Sequence, residues 1–254
     1  EIGSGLVGSE MCIRDRKMKS VKFRMIAIAL LSATMPFTAK AQDKVEASVG
    51  ADFVSNYIWR GTDCGGVSIQ PSMGVSYKGL SLTAWGSVGI DKEDAREIDL
   101  TLGYNTGGFS VSVTDYWFSY HKEDGGYTGD YFKYGAHSTV HIFEATLGYD
   151  FGPLALSWNT YFAGDDYTKE NGDRAYSTYV GISAPFTLGG LDWSAEVGLT
   201  PWEGAYANKF NVTNLTLKAE KEIKFTNSFS LPTFAQVTFN PHTQGAYFVF
   251  GVSF

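Results

Sequence analysis

The chain has 254 residues, and the stretch after Gln42 is long enough for one domain. That stretch carries 13 Lys+Arg against 24 Asp+Glu, a net charge of −11, which excludes nucleic-acid binding through phosphate neutralisation. Cys64 is its single cysteine, which excludes an internal disulfide, and it has no apolar run long enough for a membrane-spanning helix.

In chain order, residues 1–17 resemble translated sequencing-adapter read-through around Glu10-Met11-Cys12-Ile13-Arg14-Asp15-Arg16, and they are set aside from the fold. Residues 18–41 read as a secretory signal peptide. Lys19, Lys22 and Arg24 form a basic start, Met25 to Leu31 an apolar run, and Ala39-Lys40-Ala41 a small-x-small cleavage site. The expected mature domain is 42–254, exported and without a lipoprotein anchor, because no cysteine follows the cut.

From there the hydrophobic period is two. Leu80, Leu82, Ala84, Gly86, Val88 and Ile90 alternate with Ser81, Thr83, Trp85, Ser87, Gly89 and Asp91; Leu191 to Leu199 and Phe248 to Phe254 do the same. Turn residues divide the pattern into about 12 strands: 45–60, 67–77, 80–91, 96–106, 109–121, 136–151, 154–164, 174–188, 191–200, 211–225, 229–239 and 244–254. Very short connections (78–79, 107–108, 152–153, 189–190, and the slightly longer 226–228) alternate with longer polar ones (61–66, 92–95, 122–135, 165–173, 201–210 and 240–243). An even strand count with tight turns on one rim and long loops on the other predicts an all-β fold. The expected architecture is a 12-stranded antiparallel transmembrane β-barrel, an up-and-down meander closed so that every backbone group is paired in lipid. Aromatics gather near the strand ends: Tyr77, Tyr104, Phe109, Tyr149 and Trp193 toward the short-turn rim, Tyr57, Trp59, Trp117 and Trp158 toward the other. Outer-membrane lipid is the expected surrounding partner.

By strand parity, Asp52, Arg60, Asp99, Glu144, Glu196 and Lys218 line the lumen, with Glu46, Glu97, Asp192 and Glu220. Acids outnumber bases, so a narrow channel with weak cation preference is expected, against a lumen plugged by its own ion pairs. Inward Tyr161, Tyr179 and Tyr247 narrow it further. Parity aims Asp115 at lipid near mid-membrane. A β-bulge beside it is therefore expected, turning its carboxylate into the lumen lining.

His121 and His137 flank the longest loop, but no nucleophile-elbow sequence accompanies them, so no catalytic residue is assigned and a hydrolase is the least favoured class. Asp165, Asp166, Asn171 and Asp173 read as a solvated acidic loop without the spacing of an EF-hand; no metal site and no cofactor are assigned.

The segment Ser55-Asn56-Tyr57-Ile58-Trp59-Arg60-Gly61 resembles the first strand of the TorF-like family of porins. Glu97 to Tyr104 followed by Gly107-Gly108-Phe109-Ser110 is similar to that family's hairpins. The resemblance implies an outer-membrane barrel acting as a channel and supplies no catalytic or ligand residue. Phe250, Val252 and Phe254 look like the terminal signal read by the barrel-assembly machinery during insertion, although a glycine does not stand at its usual spacing.

Overall fold

A computed structural model describes residues 44–122, 126–136, 138–226 and 229–254, so the segments read as read-through and signal peptide lie outside the described residues. The strands are β1 (Glu46–Val54), β2 (Tyr57–Trp59), β3 (Thr62–Gly65), β4 (Ser68–Tyr77), β5 (Leu80–Gly89), β6 (Arg96–Thr106) and β7 (Phe109–Ser119). They continue with β8 (Ile142–Asp150), β9 (Ala155–Gly164), β10 (Thr178–Leu188), β11 (Leu191–Thr200), β12 (Asn211–Lys224), β13 (Ser230–Asn240) and β14 (Gly245–Ser253).

All except β2 and β3 form one closed antiparallel barrel of 12 strands, a meander in which β1 returns to pair with β14. The closing seam is short. Asp52, Phe53 and Val54 face Ser253, Val252 and Gly251, and the backbones of Ala51 and Phe254 exchange two hydrogen bonds of 2.9 and 3.2 Å. Phe254 thus completes the wall.

The tight turns follow from their residues. Lys78-Gly79, Gly107-Gly108 and Gly189-Gly190 have positive φ at both positions (49° and 87°, 54° and 85°, 63° and 74°), as the type I′ hairpin turn requires. They share one rim, and the long connections share the other.

The two faces of the wall are inverted relative to a water-soluble sandwich. Outward Val49, Met73, Leu102, Leu147 and Phe248 are 51–83% exposed. Inward Gln70, Ser87, Thr114, Asn159, Asn214 and Thr238 are at most 5% exposed. Hydroxyl and amide contacts knit that inner face: Thr101 to Thr114 at 3.0 Å, Thr146 to Asn159 at 3.0 Å, Thr216 to Thr238 at 2.8 Å. An apolar exterior around a polar interior is what a strand of period two gives when lipid is outside.

Two expectations about the wall are corrected. The first strand does not run to Arg60. It leaves the wall after Val54, and residues 57–65 form a separate hairpin of β2 and β3, so 61–66 is not an outer loop. And β7 carries no bulge: its register against β6 is unbroken from Arg96↔Ser119 to Thr106↔Phe109, with Leu100 opposite Asp115. Register shifts fall instead between β8 and β9 at Phe143/Glu144 and between β11 and β12 at Gly198/Leu199.

Candidate functional site

The β2–β3 hairpin folds into the lumen. Tyr57, Ile58 and Trp59 are all buried, at 4%, 7% and 4% exposure, because both faces of this short strand are covered. Ile58 packs with Val54, Phe234 and Val249 on the β1, β13 and β14 side. Tyr57 and Trp59 join a cluster with Tyr116, Phe118, Tyr161, Tyr179 and Tyr206 on the far side. At the tip, Arg60 (φ 45°) and Gly61 (φ 79°) repeat the two-residue geometry of the short-turn rim, closed by Trp59↔Thr62. A side chain at 61 is doubly excluded: a Cβ would come within 1.8 Å of the Thr213 carbonyl oxygen, in a backbone conformation L-residues rarely adopt. Asn240 holds the tip by donating to the Gly61 carbonyl at 3.0 Å.

Arg60 bridges the lumen to β8. Its guanidinium donates to both carboxylate oxygens of Glu144, at 2.7 and 3.0 Å, and to the Tyr206 hydroxyl at 2.5 Å. It lies 3.9 Å from the ring centre of Trp59 and 4.6 Å from that of Tyr179, within cation–π range. The paired side chains are 7% and 2% exposed. Tyr116 also donates to Glu144 at 2.8 Å, and Tyr206 donates to Tyr161 at 3.1 Å. Burial pushes the Tyr206 phenol above its usual range; the Arg60 charge opposes this and the Glu144 charge adds to it. Beside this layer, Glu196 accepts from Tyr179 at 2.5 Å and from Asn214 at 3.1 Å. The result is a buried polar and aromatic layer that fills the lumen at this level, with its charged groups paired and the Trp59 indole N–H left without a hydrogen-bond partner among the described residues.

The other lining residues divide. Asp99, with Glu97, is buried on β6 beneath the hairpin at 1% exposure. Asp52 sits next to Ser253 and feels the charge of Lys218, three strands along the wall on β12. Lys218 pairs with Glu220 at 2.5 Å and lies over Phe234. Phe250 and Phe254 point outward, 50% and 71% exposed, and Val252 is half-buried at the seam.

Asp115 is not in the lumen lining. In regular register it stands opposite Leu100 and Phe143 on the outer face. Its charge is met there by His141, whose Nδ1 is 2.7 Å from the carboxylate and whose Nε2 is 2.7 Å from the Tyr131 carbonyl. The connection after β7 folds back over this wall. Trp117 donates to the Gly129 carbonyl at 3.1 Å and packs on Tyr131, while Tyr131, Tyr134 and Phe143 surround the fully buried His141 ring. Desolvation, followed by the Asp115 charge, pushes the Tyr134 phenol up to about 12.

His121 stands edge-on to Tyr127, His242 contacts Asn211 at 3.0 Å, and His137 lies outside the described residues. Burial, with Lys209 nearby, holds His242 below the ordinary imidazole range. The acidic loop ties itself together: Asp166 accepts from Ser177 and Asn171 donates to Asp173. Among the described residues no group of three or more His, Cys, Asp or Glu is placed to hold a metal ion.

Sequence reasoning missed the inward hairpin, Tyr116, Tyr206 and His141. A signal for the hairpin was present. The run Tyr57-Ile58-Trp59 breaks the period of two, follows Ser55-Asn56, and ends in Arg-Gly, a two-residue turn like Lys78-Gly79.

No family model and no curated protein matches the chain. Among solved structures it is similar to BamA from Haemophilus ducreyi lacking POTRA domains 1-3, at 12% identity and a TM-score of 0.36, over 76% of this chain and 41% of that one. It is also similar to the NanC porin, at 7% identity and a TM-score of 0.38, over 81% of this chain and 98% of that one. The chain spans less than half the length of the BamA chain it matches.

Proposed function

We propose that this protein is an outer-membrane barrel that serves as a passage for small solutes, closed by the β2–β3 hairpin and opened when that hairpin leaves its seat. The observation that carries this reading is the Arg60–Glu144 pair, a bidentate lock from the hairpin tip to the opposite wall. A barrel needing only mechanical integrity gains little from a buried ion pair, which stabilises weakly against apolar replacements but is costly to break on one side. The apolar exterior and the alternation of turn and loop lengths support residence in a membrane with the long loops outside. The acid excess along the lumen supports weak cation preference once open. The segments that carry the resemblance to TorF-like porins include the one that forms the hairpin and its Arg60. Export through the signal peptide at 18–41 belongs to the same reading.

The filled layer also favours a second reading, a permanently closed structural or surface-binding barrel. Solute influx into proteoliposomes separates the two. Wild-type protein should sit near background and Arg60→Ala well above it, with reversal potentials on the cation side. Equal, background influx from both folded proteins would support the closed barrel.

A further inference from the structure

Beside the lock, the barrel buries two carboxylates that the lock does not use. Glu97 and Asp99 alternate along β6 and face the lumen, level with Ser87 and Trp85 on β5 and with Phe118 and Tyr116 on β7. Each is 1% exposed. Their carboxyl groups lie against one another, and none of the four oxygens has a hydrogen-bond partner among the described residues outside the group formed with Tyr57. The charges that act on Asp99 are Glu97 and Glu144 in the lumen and Asp115 on the other face of the wall, all acidic. Arg60 is taken up by Glu144.

A second observation comes from a different segment. Tyr57, on the hairpin, is 4% exposed, its phenol is directed at Glu97, and its oxygen has no other hydrogen-bond partner among the described residues. Trp85 closes the side, 5.6 Å from the Tyr57 ring. Three oxygen-bearing side chains thus converge from wall and hairpin, with no partner among the described residues beyond one another. Two adjacent buried carboxylates require a counter-charge or a proton. Oxygen-only donors suit hard cations, and a divalent ion balances both carboxylates where a monovalent ion leaves one charge over.

We infer that Glu97, Asp99 and the Tyr57 hydroxyl form a lumenal site for a single divalent cation of the Ca²⁺ class. Because Tyr57 belongs to the hairpin and the carboxylates to the wall, the ion fastens the hairpin in its seat. With so few protein ligands, affinity belongs to the weak end of calcium sites, a Kd on the order of 10⁻⁴ to 10⁻³ M.

Cys64, 1% exposed on the other strand of the hairpin, reports on seating. The test measures maleimide labelling of Cys64 in the folded mature protein with Ca²⁺ titrated against EDTA, together with Trp-sensitised Tb³⁺ emission. Labelling should slow about tenfold at Ca²⁺ ten times its Kd, since only the seated form binds. Ca²⁺ should also displace the Tb³⁺ signal. The double variant E97Q/D99N, with folding checked by heat-modifiable migration, should lose both responses, and Y57F should weaken them. Labelling that ignores Ca²⁺, or responds equally in the double variant, overturns the site and leaves a shared proton between the two carboxyls. Neither readout depends on ion currents, so the site can fail while the passage stands, and the reverse.

Discussion

At the scale of single residues, the barrel places several charges where lipid or packing forbids them and answers some of them with a specific partner. Asp115 is the plainest case. Outward register put its carboxylate among Leu100 and Phe143, and sequence reasoning solved the problem with a bulge; the protein solves it with His141 from the following connection. Asp115→Ala strands a fully buried imidazole and should cost about 2–3 kcal/mol, below the usual cost of breaking a fully buried pair because Asp115 keeps some exposure. The double variant Asp115→Ala/His141→Phe should recover most of this, since a phenyl ring fits beside Phe143 and needs no partner. Urea unfolding in lipid vesicles checks both, and equal losses in single and double variants would refute the pairing. Arg60→Ala should likewise cost about 3 kcal/mol by leaving Glu144 buried with Tyr116 as its principal donor. Gly61→Ala should unseat the hairpin tip through the clash with Thr213.

At the scale of elements, the wall strands were legible because lipid outside and polar packing inside enforce a strict period of two, as in Leu80 to Val88. The hairpin was not, because parity presumes a residue belongs to the wall. Tyr57, Ile58 and Trp59 are covered on both faces and so obey no alternation. Parity placed Asp99, Glu144 and Glu196 on wall strands but placed Arg60 there too, although it belongs to the hairpin, and the contacts come from elements parity does not relate: Tyr206 from a loop, Tyr57 from the hairpin. His141 was invisible because nothing local ties a loop histidine to an aspartate 26 positions earlier. The hairpin's seating predicts that Cys64 labels slowly with maleimide in wild type and faster in Arg60→Ala. Fast labelling of folded wild-type protein would contradict burial of this strand.

At the scale of the whole molecule, the closed barrel fixes which ends meet. Both wall termini lie at the tight-turn rim, so cysteines placed at 107 or 189 should resist an impermeant reagent on intact cells, whereas 130 and 172 should react. The reverse pattern would invert the topology. Mass spectrometry of the exported protein should give an N-terminus at Gln42, the residue after Ala41. The central claim is that the hairpin closes the lumen, and the fold offers a direct way to remove it. Val54 and Ser68 face one another across the β1–β4 ladder, so a short Gly-Ser turn can replace residues 56–66 without stretching the wall. Planar-bilayer recording of this variant beside wild type is the decisive measurement. The account predicts steady, discrete, cation-preferring steps from the shortened barrel and rare or absent steps from wild type; a shortened barrel that is folded, inserted and silent would contradict it.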